Sequence, residues 1–144
     1  WADLYWDLLL QSGRRVWGVA CDDTHGKTQK SDRFGGWVMV RTEICSPPEI
    51  LAAMSAGTYY FSQGPVIYDW GIREDTVYFR CSPCPEIHVT TYPPRGSSCY
   101  APEGEMLTEI AYPLKGGELY IRVECIDKEG HTAWTNPHFF TGVK

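Results

Sequence analysis

The sequence predicts an α+β protein, with a helix-and-strand segment over residues 1–64 followed by an antiparallel β-sandwich over residues 65–144. Three observations predict this. Apolar residues recur at a helical period in the first ten positions. The stretch from Ser46 to Gly57 carries the punctuation of a second helix. After Pro65, six short strand-like runs are divided by turn residues.

In order along the chain, Trp1, Leu4, Tyr5, Leu8 and Leu9 follow i, i+3, i+4, i+7, i+8, one face of an amphipathic helix that Gly13 is placed to end. Such a face needs a partner, and self-association through the Trp1–Leu9 helix is the expectation. "RRVWGVA", residues 14–20, predicts a strand, being short, β-branched and aromatic. "HGKTQKSDRFGG" is a polar, glycine-bearing loop, and "WVMVRTEI", residues 37–44, predicts a second strand. In "SPPEILAAMSAGT", Ser46 is the expected N-cap, Pro47 and Pro48 suit the first turn, Glu49 faces the positive end and Gly57 closes the helix. "YYFSQGP" follows as a strand. Then come "VIYDWGI", "TVYFRC", "EIHVTTY", "EMLTEIAY", "ELYIRVECID" and "HTAWTNPHFF", separated by "YPPRGSS", "PLKGG" and "DKEG". Strands at this spacing predict a sandwich over residues 66–140, the last two runs forming a hairpin.

Composition narrows the class. The chain has 144 residues, 43% of them hydrophobic, enough to fill a core. The net charge is −5 and no basic run exceeds two residues, which argues against nucleic acid as a partner. No stretch of 18 apolar residues is present, so no membrane span is predicted. "WADLYWDLLLQSG" carries Asp3 and Asp7 without a basic flank and is not a secretory signal. Asn136 precedes Pro137 and forms no glycosylation sequon. Six cysteines without the spacing of a stapled domain favour a reducing, cytoplasmic setting. A helix, a strand and another helix cannot bury their own apolar faces, so residues 1–64 are expected to be the remnant of a larger α/β layer.

The sharpest motif is in "GVACDDTHG", residues 18–26. Asp23 and His25 stand two apart at the end of an apolar run, where both side chains can converge on one ion. Carboxylate plus imidazole suits Zn, Mn or Fe. The plainer alternative is an Asp turn beside a solvated histidine. Asp22 has the opposite parity and is expected to support the ligands from behind or to belong to the loop, not to bind the ion itself. "CSPC", Cys81 to Cys84, lacks the following helix of a redox dithiol and the second close pair of a zinc site, so ordinary buried thiols are expected. His88, His131 and His138 lie in strand-like runs and are expected to be partly buried and hydrogen-bonded. Core packing is expected of Trp134 and Phe139.

"GVACDDTHG", then "GGW", then "SPPEILAAMSAGTYYFSQGP", resembles the C-terminal part of the PHP-domain (polymerase and histidinol phosphatase) metal-dependent phosphoesterases, closest to members with an appended β-sandwich domain. "YIRVECIDKEGHTAWTNPHFF" resembles the closing hairpin of that domain. The resemblance covers essentially the whole chain. It implies a truncated α/β-barrel remnant followed by an Ig-like β-sandwich. It also implies hydrolysis of a small phosphoester by clustered divalent ions. The family's Asp-x-His maps onto Asp23 and His25 as metal ligands; no catalytic residue is assigned. The family's His-x-His and its other ligands have no match here, so the chain by itself is expected to be inactive. The rival expectation is a non-enzymatic, Ig-like β-sandwich binding or interaction module.

Overall fold

The computed structural model describes residues 2–25 and 33–141. It is a mostly antiparallel, β-sandwich-like α+β fold. Among the described residues two helices, α1 (Ala2–Gln11) and α2 (Pro47–Ala56), accompany ten strands. These are β1 (Trp37–Val40), β2 (Tyr59–Ser62), β3 (Ile67–Arg73), β4 (Thr76–Cys84), β5 (Glu86–Tyr92), β6 (Ser97–Tyr100), β7 (Leu107–Pro113), β8 (Tyr120–Ile126), β9 (Thr132–Thr135) and β10 (His138–Phe139). One sheet has the order β1-β2-β9-β8-β5-β6, with β10 also paired to β8; the other has the order β3-β4-β7. Among the described residues, no helix is long and apolar enough to cross a membrane.

Strand β8 shows why the layers form. Its alternate residues Ile121, Val123 and Cys125 join Val77, Phe79 and Ile87 in the core between the two sheets. Tyr120 faces the opposite way and packs with Trp6, Leu10, Tyr59 and Phe61 in a second core. Strand β8 is therefore buried on both faces, by the small sheet on one side and by α1 with its neighbouring coil on the other.

The six runs after Pro65 all contain strands, and "HTAWTNPHFF" is broken into β9 and β10 at Asn136-Pro137. Strand β6 was hidden by its own composition, because Ser97 and Ser98 read as turn residues. The pairing of β2 with β9, Phe61 opposite Trp134, carries the larger sheet across residues 64 and 65.

Two expectations are corrected. Residues 14–20 form no strand. Side chains rather than a ladder satisfy this backbone. Val16 O accepts from Trp6 Nε1 at 2.8 Å, Gly18 N donates to Asn136 Oδ1 at 2.9 Å, and Gly18 O accepts from Tyr59 Oη at 2.9 Å. The packed face of α1 is also not the expected one. Trp6 and Leu10 are buried, whereas Leu4, Tyr5 and Leu8 are 59%, 65% and 53% exposed. The i, i+4 pair Trp6/Leu10 competes with the longer apolar stripe, and Asp7 between them decides the rotation by reaching Arg122 on β8. Trp1 lies outside the described residues.

Helix α2 follows its punctuation, with Pro47 in the first turn and Gly57 left-handed at φ 74°. Ser46 is extended, as an N-cap should be, but its side chain makes no cap hydrogen bond.

Candidate functional site

The Asp-x-His segment leaves the packed coil beside the sheet and turns into solvent. Asp23 makes that turn with a left-handed φ of 54°, a conformation Asp tolerates better than most residues. Its side chain is 93% exposed and that of His25 is 65% exposed, and Nε2 of His25 lies 3.8 Å from Oδ1 of Asp23. The turn at Asp23 brings the two side chains together, where strand alternation was the expected cause.

Asp22 has a different job. Its Oδ1 accepts the Gly36 N–H at 3.2 Å, and its Oδ2 accepts from the Thr24 hydroxyl at 3.4 Å. Backbone N–H groups of Phe34, then Gly36, hold its carboxyl below the usual range. Asp22 thereby ties the Asp-x-His turn to the Gly35-Gly36 corner. A Cβ at Gly36 would lie 2.9 Å from the Cys21 nitrogen, so the close approach of the two backbones requires glycine. Of the loop between, residues 26–32 lie outside the described residues.

The donor set of Asp23 and His25 fits a divalent ion. Metal–oxygen and metal–nitrogen bonds of about 2.0–2.2 Å span a gap of this size. Two ligands leave further positions to be filled by groups other than these two.

Three other constellations appear. Cys81, Cys84 and Cys125 are buried, with their sulfur atoms all within 4.8 Å of one another. Hydrogen bonds from the Cys125 thiol, then from Cys81, lower Cys84 against the opposing effect of burial, and hydrogen bonding to Cys81 and Cys84 raises Cys125. "CSPC" revealed two members; the third stands 41 positions later on the facing sheet, and nothing in its spacing marked it.

Asp127, Glu129 and His131 form a second group, at the β8–β9 turn. Asp127 Oδ1 accepts the N–H groups of Glu129 at 3.0 Å and His131 at 2.8 Å, and its Oδ2 lies 3.2 Å from His131 Nδ1. That is the hydrogen bonding of a hairpin turn.

An open groove of about 360 Å³ runs along β5 and β6, lined by His88, Thr90, Ser97, Ser98 and Glu124 among others. His88 Nδ1 meets Ser98 Oγ at 2.9 Å, and its Nε2 lies 3.2 Å from Glu86 Oε2. Sequence reasoning missed this groove because it missed β6. His138 is on β10, where burial, then the charge of Arg15, lowers its pKa. Trp134 stacks on Phe61 with ring centroids 5.2 Å apart, and Phe139 packs in the outer core.

No family model, curated protein or solved structure matches this chain.

Proposed function

We propose that this chain is the C-terminal part of a PHP-type metal-dependent phosphoesterase acting on a small phosphoester, with Asp23 and His25 among its metal ligands. The observation that carries this reading is the convergence of Asp23 and His25 at 3.8 Å, on a turn that Asp22 braces against Gly36. Asp23 would hold a divalent ion (Zn, Mn or Fe) by its carboxylate and His25 by its imidazole. Such an ion supplies a water of lowered pKa and neutralises charge on phosphate oxygens. Asp22 keeps both ligands in place by fixing the backbone between them and the glycine corner.

The α/β-barrel reading of residues 1–64 has support from the surface. Leu4, Tyr5 and Leu8 of α1, with Val19, Ile44 and Leu51, are large apolar side chains left exposed on this part of the chain. On this reading the exposed Leu4–Leu8 face of α1 is covered by further barrel elements or by a second copy of the chain. The Ig-like sandwich is then a docking or substrate-shaping appendage.

The test is an assay with p-nitrophenyl phosphate and a phosphodiester analogue, with Mn²⁺ or Zn²⁺ added, on residues 1–144 beside a longer chain extended upstream. Metal-dependent turnover is expected from the longer chain, abolished by Asp23→Ala, and none from residues 1–144. Robust turnover by residues 1–144, lost in Asp23→Ala, overturns the reading that ligands are missing. An inactive longer chain whose metal content is unchanged in Asp23→Ala overturns the enzyme reading and leaves the Ig-like binding module.

A further inference from the structure

We propose that Cys81, Cys84 and Cys125 form a binding site for a single thiophilic d¹⁰ cation, Zn²⁺ or Cu⁺, held between the two sheets. The site is independent of the Asp23–His25 pair. Its geometry begins with β4. Val77, Phe79 and Cys81 alternate inward, and simple alternation would then turn Cys84 outward. The register of β4 against β7 shifts between Arg80 and Cys84, and Cys84 is buried as well. Ser82, within that irregular stretch, is tied to Val66 by two hydrogen bonds, its N–H donating to Val66 O at 2.7 Å and its Oγ accepting the Val66 N–H at 2.9 Å. The shift turns a pair that would face opposite ways into a chelate.

The third sulfur comes from the other sheet. Cys125 lies in the middle of its sheet, opposite Ile87 on β5 and Ala133 on β9, and its side chain points into the same core. All three thiols are at most 1% exposed, and the three sulfur atoms lie within 4.8 Å of one another. Metal–sulfur bonds of about 2.3 Å place the sulfurs of a trigonal or tetrahedral centre about 3.7–4.0 Å apart, so closing on an ion needs shifts of about an ångström or less. Thiolates select soft and borderline cations over Mg²⁺, Ca²⁺ or Mn²⁺.

Charge and coordination number separate the two ions. Three thiolates around Zn²⁺ leave one net negative charge in an apolar core and around Cu⁺ they leave two, which favours Zn²⁺. Among the described residues, no fourth His, Cys, Asp or Glu joins the group, which favours an ion content with three ligands. Either ion would pin the sheets together and stabilise the fold by linkage.

The experiment uses the full chain with Cys21, Cys45 and Cys99 changed to Ser, reduced with a phosphine under anaerobic conditions. Cd²⁺ serves as the spectroscopic probe, with Zn²⁺ and Cu⁺ in competition, each added to folded protein and also during refolding from urea. A sulfur-to-metal charge-transfer band saturating at one ion per chain is expected, with a raised Tm. Cys81→Ala, Cys84→Ala and Cys125→Val should each weaken binding by about 100-fold or more. Near-UV circular dichroism identifies which variants remain folded, and one folded variant suffices. Three results overturn the proposal. One is no uptake by either route, and another is uptake that folded variants leave unchanged. The third is a disulfide within the trio whose reduction restores no binding.

Discussion

Arg122 is 3% exposed, yet each of its three guanidinium nitrogens has a carboxylate partner. Nε and one terminal nitrogen donate to the two oxygens of Asp7 at 2.9 and 2.8 Å, the other donates to Glu124, and the group lies 5.0 Å above the Trp6 ring. Asp7 also accepts from the Tyr120 hydroxyl at 3.1 Å. Asp7→Ala is expected to cost about 2–3 kcal/mol in urea denaturation. That is below the ~3–5 of an orphaned buried charge because Glu124 remains. Burial, then the Asp7 carboxylate, raises Tyr120 to about 12 from an ordinary value of 10.0. Between those two pH values the folded chain keeps a proton that the unfolded chain has released. The contribution of Tyr120 to stability is therefore full below pH 10 and falls as pH rises towards 12, by about 2–3 kcal/mol in all. Tyr120→Phe should lack this part of the alkaline loss, so its stability difference from the parent should narrow across that window. A gap that stays constant would show that Tyr120 titrates normally.

At the scale of elements, Gly18 is a point where the coil of residues 14–20 packs tightly on the larger sheet. A Cβ there would lie 2.3 Å from Cζ of Phe61, which packs on the segment directly. Gly18→Ala should cost about 1–3 kcal/mol through overpacking, measured as a shift in urea midpoint at constant m-value. A neutral effect would mean that the coil moves away from β2 without loss. The elements legible in the sequence were those whose signals are local. Helix α2 announced itself through Pro47 and Gly57, and the later strands through alternation between turns. What misled were signals that needed a partner to interpret. "RRVWGVA" has strand composition, but Asn136, more than a hundred positions away, takes the Gly18 hydrogen bond that a neighbouring strand would have taken. The apolar stripe of α1 gave the wrong face because Asp7 reaches an arginine 115 positions later. At the candidate site, Asp23, His25 and Asp22 were visible as residue types. Cys125 was not, since its meeting with "CSPC" depends on the packing of two sheets and a register shift in β4.

At the scale of the whole molecule, the larger sheet joins the early and late parts of the chain. Tyr60, Phe61 and Ser62 pair with Thr135, Trp134 and Ala133, while Trp6, Leu10, Tyr59 and Phe61 cover Tyr120 on the outer face. Residues 65–144 by themselves would keep the core between the sheets. They would also expose β9 as an unprotected edge and uncover Tyr120, Arg122 and Trp134. A bare edge next to an apolar face invites pairing with other chains, and Arg122 would lose Asp7 while remaining partly enclosed by Glu124. The full chain is therefore expected to unfold in one transition. Far-UV circular dichroism and tryptophan fluorescence should coincide, because Trp6 and Trp17 lie before the junction and Trp70 and Trp134 after it. Residues 65–144 alone should be aggregation-prone or lack sharp near-UV signals. If that segment is instead a monomer with native-like spectra and most of the stability of the whole chain, the outer layer is a dispensable cover, and the coupling through β2–β9 and Asp7–Arg122 carries little of the folding energy.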